Sequence, residues 1–137
     1  MDILPDTSAV IDGRVTERVE AGDVDAVYVP EAVVGELEAQ ANDGRDSGWE
    51  GLEELQRLAA LADEGTIELE YVGRRPDAVE KRDAGEGEID ALIRDLADRH
   101  DATLLTSDVV QSEVAKAKGI AVEYIEPRTE DTTELTL

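Results

Sequence analysis

The sequence contains no cysteine, no phenylalanine, one histidine (His100), one tryptophan (Trp49) and three lysines, Lys81, Lys116 and Lys118. Without thiols there are no disulfides, no thiolate metal centres and no cysteine nucleophile. A lone histidine excludes a histidine-rich metal site. No apolar run approaches the ~20 residues needed to span a bilayer, and Met1-Asp2-Ile3-Leu4-Pro5 lacks the basic start of a secretory signal. The expectation is a soluble cytoplasmic protein with no membrane partner. Basic residues are scarce as well: 13 Lys plus Arg stand against 35 Asp plus Glu, a formal charge of −22 over 137 residues.

The apolar fraction is 41%, enough for a core and too high for wholesale disorder. The length suits one domain. A charge of this sign repels nucleic acid and anionic membranes at low salt. The acids are spread along the whole chain and form no acidic tail. Few lysines, no phenylalanine and dispersed acids are the pattern of halophilic adaptation. At ~1 M salt the Debye length is ~3 Å and the self-repulsion is mostly screened. Net charge then says little about partners.

Short β-type runs alternate with helical patterns. Ile3-Leu4, Ala26–Val29 (stopped by Pro30), Ile67–Val72, Ala102–Thr106 and Ala121–Ile125 read as strands. Helices are expected over about Glu31–Ala41, over Trp49–Ala62 with Leu52, Leu55, Leu58 and Leu61 on one side, over Glu88–His100, and from Asp108 to a stop at Gly119. Asn42–Gly48 is polar and Gly-rich and reads as a helix–helix loop. This alternation implies an α/β fold: three layers, α/β/α, around a central parallel sheet of about five strands, Rossmann-like. The domain is expected over residues 1–127, with 128–137 a flexible tail or the start of a linker. Pro5 sits where the first strand finishes, so that strand should be short.

With this many acids, the informative ones are those that solvation alone does not explain. Asp6 directly follows the first strand and Asp108 the fourth. Ligands of open parallel sheets bind beyond the carboxyl ends of the strands. Each is equally well placed as a helix N-cap. Glu36 lies four after Ala32 and three after Val33 and borders an apolar stripe. Asp90, three before Ile93 and seven before Ala97, does the same near the start of its helix. If the four converge, their repulsion needs a counter-charge. Two carboxylates ~4 Å apart repel by about 4 kcal/mol at an effective dielectric of 20. Few cations are near in sequence, and an all-oxygen donor set suits Mg²⁺ or Mn²⁺. Such an ion fits phosphoryl chemistry. The neighbouring hydroxyls of Thr7, Ser8, Thr106 and Ser107 could orient a carboxylate or a water; plain capping is the expectation for Thr7 and Ser107.

These residues resemble the PIN-domain nucleases. Asp6-Thr7-Ser8 is similar to the family's opening motif, and Glu36 after Pro-Glu-Ala-Val-Val to its second acid. Asp90, with Ala97 seven residues on, is similar to its third, and Thr106-Ser107-Asp108 to its closing Thr-x-Asp. The resemblance runs nearly to Pro127. More narrowly, the stretch from Pro30, the Gly73-Arg-Arg-Pro segment and Gly87-Glu-Ile-Asp-Ala-Leu-Ile-Arg-Asp resemble the N-terminal PIN domain of archaeal PIN–KH–ATPase proteins. No G-x-x-x-x-G-K-[ST] is present, so no ATPase is expected here: the chain would be either a fragment of a longer protein with ATPase and KH parts, or a free-standing relative. The resemblance implies metal-dependent phosphodiester hydrolysis, mostly of single-stranded RNA. Asp6, Glu36, Asp90 and Asp108 would hold one or two Mg²⁺ or Mn²⁺ ions, with Ser8 and Thr106 as supporting polar groups and Glu88 as an extra acid at the helix start. Arg74 and Arg75 are the candidate phosphate contacts, in competition with ion pairing to neighbouring acids. A homodimer or higher homo-oligomer is expected.

Trp49 is expected to pack in the core or at a subunit contact, and His100 to sit at a helix C-terminus, where a cation is favoured. Other functions compete: a non-catalytic module for oligomerisation and nucleic-acid placement in a larger ATPase, or a toxin of a toxin–antitoxin pair. A phospho-receiver needs a Lys after a late strand, where this chain has Glu126-Pro127-Arg128. A phosphatase of the Asp-nucleophile type needs Asp-x-Asp after the first strand, where it has Asp6-Thr7-Ser8.

Overall fold

A computed structural model describes residues 1–75 and 86–127, apart from the side chains of 86 and 87. The proposed tail, 128–137, and Lys81 lie outside the described residues. The strands are β1 (Asp2–Pro5), β2 (Ala26–Pro30), β3 (Glu68–Val72), β4 (Thr103–Thr106) and β5 (Val122–Tyr124). The helices are α1 (Thr7–Ile11), α2 (Arg14–Glu20), α3 (Glu31–Asn42), α4 (Asp46–Asp63), α5 (Glu86–Arg99) and α6 (Val109–Ala117).

All strand pairs are parallel, in the order β3-β2-β1-β4-β5. The chain moves one way from β1 through β2 to β3, then crosses to β4 and moves the other way to β5. Right-handed crossovers therefore put α1–α4 on one face and α5 and α6 on the other. The contacts agree, since α4 packs on α1, α2 and α3, and α6 on β4 and β5. The α/β/α expectation holds, and the direction of winding reverses between β1 and β4. Ligands of such sheets bind beyond the strand ends at that reversal.

The central strands are buried on both faces: Ile3, Leu4, Val27, Val29, Leu104 and Leu105 are core residues. Pro5 ends β1 opposite Leu105 of β4. Pairing with β2 stops at Ile3 opposite Val27, and the next amide, Asp6 N–H, donates to Leu105 O at 3.0 Å. By alternation the Pro5 nitrogen faces β2 beyond the last pair there, so no ladder bond is missing.

Three expectations need correction. Residues 7–20 carry two short helices, α1 and α2, that the apolar pattern does not announce. The loop after α3 is only three residues, 43–45, because α4 starts at Asp46 and Gly48 lies inside it. There a Cβ would stand 2.3 Å from Ala41 N, and at Gly51 2.3 Å from Leu37 Cδ2. These glycines are the contact surface of the α3–α4 hairpin. Trp49, finally, is 57% exposed, so of its two expected places, core or subunit contact, the core is excluded.

Candidate functional site

Asp6 closes β1 and opens α1. It is the N-cap of α1, with Oδ1 accepting from Ala9 N–H at 3.1 Å, yet its side chain is committed further. Ser8 Oγ donates to Asp6 Oδ1 at 2.6 Å, and Thr106 Oγ1 donates to Asp6 Oδ2 at 2.5 Å. The two hydroxyls act alike. Ser8 Oγ accepts from Ser107 N–H at 3.1 Å, and Thr106 Oγ1 accepts from Asp108 N–H at 3.0 Å. Each therefore ties the Asp6 carboxylate to the backbone of the β4–α6 turn. A third tie runs from Ser107 Oγ to Asp12 Oδ2 at 3.0 Å.

Asp108 is likewise the N-cap of α6. Its Oδ1 accepts from Val110 N–H at 2.9 Å and Gln111 N–H at 3.3 Å, which leaves Oδ2 outside the cap. Capping and site placement are thus not alternatives: each aspartate spends part of its carboxylate on helix donors and presents the rest beyond the strand end.

Glu36 from α3 and Asp90 from α5 come to the same place. A cavity of about 240 Å³ is lined by Asp6, Thr7, Ser8, Ile11, Glu36, Asp90 and Asp108. Both are half-buried. Four acids from four separate segments, carried by elements of both faces, thus line one cavity at one edge of the sheet.

Asp6 is 4% exposed. Burial pushes its carboxyl above the usual 3.8, against the opposing hydrogen bonds of Ser8, Thr106 and Ala9 N–H, and the charge of Asp108 pushes the same way. The pocket therefore holds an acid that resists ionising without a cation beside it.

The sequence profile described as the PIN domain matches residues 3–117. The chain belongs to the PIN-domain family. PIN domains are generally nucleases and typically use divalent metals. This PIN domain is 49% identical over 134 residues to an uncharacterized KH and PIN-domain containing protein of Methanocaldococcus jannaschii, covering 96% of the chain. It spans only 21% of that relative's own length. A solved domain of a functionally unknown protein from the same organism superposes with a TM-score of 0.84 at 47% identity, covering 94% of each chain. Two further structures share the fold alone. A PilT N-terminus domain protein of Sulfolobus solfataricus has a TM-score of 0.53 at 14% identity, covering 90% of this chain and 87% of its own. VapBC2 of Rickettsia felis, solved bound to a DNA fragment from the promoter, has 0.56 at 15%, covering 90% and 98%.

The donor set fits a hard divalent cation. It consists of carboxylate and hydroxyl oxygens only, as Mg²⁺ and Mn²⁺ prefer. Among the described residues no three acids are drawn together as a ready-made cage. Mg²⁺ keeps several waters and takes one or two carboxylates directly, so a pocket whose acids stand apart suits it. Thr7 Oγ1 adds a second observation: it is buried without a hydrogen-bond partner in the wall of this pocket. Thr7 and Ser107 are not capping groups, contrary to expectation. Asp6 and Asp108 have taken the caps, and the Ser107 hydroxyl goes to Asp12 instead.

Glu88 is exposed and does not line the pocket. Arg75 Nη1 pairs with Glu38 Oε2 at 2.9 Å, and its stem lies over Gly35, with Cγ 3.3 Å from where a Cβ would stand. The ion-pair reading of Arg75 is the one observed. His100 follows the end of α5 as expected and stacks on Tyr28, with ring centroids 5.0 Å apart.

Sequence reasoning misses Gln111. It is 1% exposed, with Nε2 donating to Asp90 O at 3.1 Å and Oε1 accepting from Arg94 Nη1 at 2.5 Å. A glutamine three residues after Asp108 reads as solvated helix surface. Only its spacing from Ala115, buried one turn later, hints at burial.

Proposed function

We propose that this PIN domain is a metal-dependent endonuclease that hydrolyses phosphodiester bonds, with single-stranded RNA as its substrate class. One observation carries the reading: Asp6, Glu36, Asp90 and Asp108 line a single pocket beyond the carboxyl ends of β1 and β4. These four side chains bind Mg²⁺ or Mn²⁺. The bound ion supplies Lewis acidity, lowering the pKa of water and neutralising charge on the phosphate. Ser8 and Thr106 hold Asp6 in place by donating to both of its oxygens, which aims the carboxylate and opposes part of the upward push of burial on its pKa. Ile11 supplies the apolar wall. Arg74 and Arg75, in the segment after β3, are the cations proposed to meet the nucleic-acid backbone. The protein acts as a homo-oligomer in the cytoplasm, and the KH and ATPase parts lie in a longer native chain.

The test is cleavage of a labelled single-stranded RNA with Mn²⁺ at high salt, with Asp6→Asn and Asp90→Asn as controls. Cleavage by the wild type that either substitution abolishes supports the reading. The same span of RNA bound but left intact would point to a non-catalytic module that places nucleic acid, a second reading favoured by the KH-containing relative of which this chain covers a fifth.

A further inference from the structure

We propose that Gln111 is a positioning residue for the metal site, setting the place of Asp90 relative to Asp108. This rests on the nuclease reading above and names a part of it that none of the four acids supplies. Gln111 belongs to both acids at once. Its backbone N–H is one of the two donors that fix Asp108 Oδ1. Its side-chain amide reaches across to α5, donating from Nε2 to the Asp90 carbonyl and accepting at Oε1 from Arg94 Nη1.

Asp90 and Arg94 are one helical turn apart, so the amide clasps a single turn of α5 at both ends. Only one orientation of the amide works. Flipped, it would set its oxygen against a carbonyl and its NH₂ against a guanidinium. The clasp therefore needs a donor and an acceptor in fixed places, which a glutamine has and no apolar residue of its size has.

The clasp joins acids carried by two different elements, α5 and the β4–α6 turn. Asp6 and Asp108 are bound through Thr106, Ser8 and the β1–β4 ladder. Asp90 comes from α5, on the sheet's other face from α1 and α3. Gln111 hydrogen-bonds α5 to the turn that carries Asp108.

The test is Mn²⁺ binding by the metal-free chain, followed by calorimetry, on the wild type, Gln111→Met, Gln111→Glu and Ile67→Val. Gln111→Met loses both contacts. Gln111→Glu is isosteric and keeps an acceptor for Arg94, but presents no donor to the Asp90 carbonyl. Ile67, in the core and absent from the pocket lining, controls for lost stability without lost positioning. The expected result is Mn²⁺ affinity weakened about 10-fold or more in both Gln111 variants, each still unfolding cooperatively, and unchanged in Ile67→Val. Should Gln111→Met not fold, Gln111→Glu decides. Wild-type affinity in the Gln111 variants would overturn the positioning role and leave the nuclease reading standing. No Mn²⁺ binding by the wild type would overturn that reading, and the clasp with it.

Discussion

Asp6 does two jobs whose electrostatic demands conflict. As an N-cap it gains from negative charge, and as a buried acid beside Asp108 it resists it. A carboxyl whose pKa is higher folded than unfolded binds more protons in the folded state. Stability therefore falls as pH rises from the unfolded value of about 3.8 through the raised folded one, and the loss is complete above it. Asp6→Asn removes that penalty while retaining an acceptor for Ala9 N–H. Its metal-free form should melt above the wild type at about pH 7.5, with the gap narrowing toward about pH 4.5; melting curves across that range check it. A constant gap would mean that Asp6 does not ionise on burial. The same variant should lose more than the ~100-fold in nuclease activity typical of removing a supporting group. Thr106→Val, which takes one donor from Asp6 and an acceptor from Asp108 N–H, should weaken Mn²⁺ binding by about 10- to 100-fold, read by the same calorimetry. The four acids were legible because each is out of place in a one-dimensional pattern, after a strand or on the border of an apolar stripe. Gln111 was not, because a glutamine on a helix looks ordinary until its tertiary neighbours are known.

Among the elements, the α3–α4 hairpin shapes one wall of the pocket, since α3 carries Glu36. Leu37 of α3 fills the space that Gly51 leaves open, and the Ala41 backbone lies against Gly48. Gly48→Ala inserts a methyl where no flexible side chain can yield, and should destabilise by about 1–3 kcal/mol despite a better helix propensity, measurable by urea unfolding. Neutral or increased stability would show that the hairpin opens freely. The other face of α4 holds α2. Glu54, fully buried, accepts from Thr16 N–H at 2.8 Å and from the Thr16 hydroxyl, and pairs with Arg57 Nε at 2.9 Å. It caps in trans a helix whose own N-cap, Gly13, has no side chain to offer. Glu54→Ala should cost about 2 kcal/mol, through the lost cap and the unpaired donors it leaves. The long helices were readable from their leucine spacing. The helices α1 and α2 were not, because five and seven residues are too few for a 3.6-residue period to declare itself, and the cap of α2 comes from 38 residues away in sequence.

Across the whole molecule, the sheet order places the pocket, and the net charge is the property on which salt acts. Reversal of winding between β1 and β4 brings Asp6 and Asp108 to adjacent strand ends, and that order follows from strand count and handedness more than from any local motif. The charge of −22 has no such local reading. Raising KCl from about 0.1 to 1 M shortens the Debye length from ~10 to ~3 Å, and the melting temperature should climb steadily over that range. A flat or falling response would remove halophilic adaptation as the cause of the composition. The central claim is tested most directly by crystals grown with Mn²⁺ and measured for anomalous scattering. The account predicts the strongest peak among Asp6, Glu36, Asp90 and Asp108, with at least one carboxylate bound directly and the others through water. A peak instead in the acid-lined hollow of Glu17, Glu20, Glu50 and Glu53, or none among the four at saturating Mn²⁺, would contradict it.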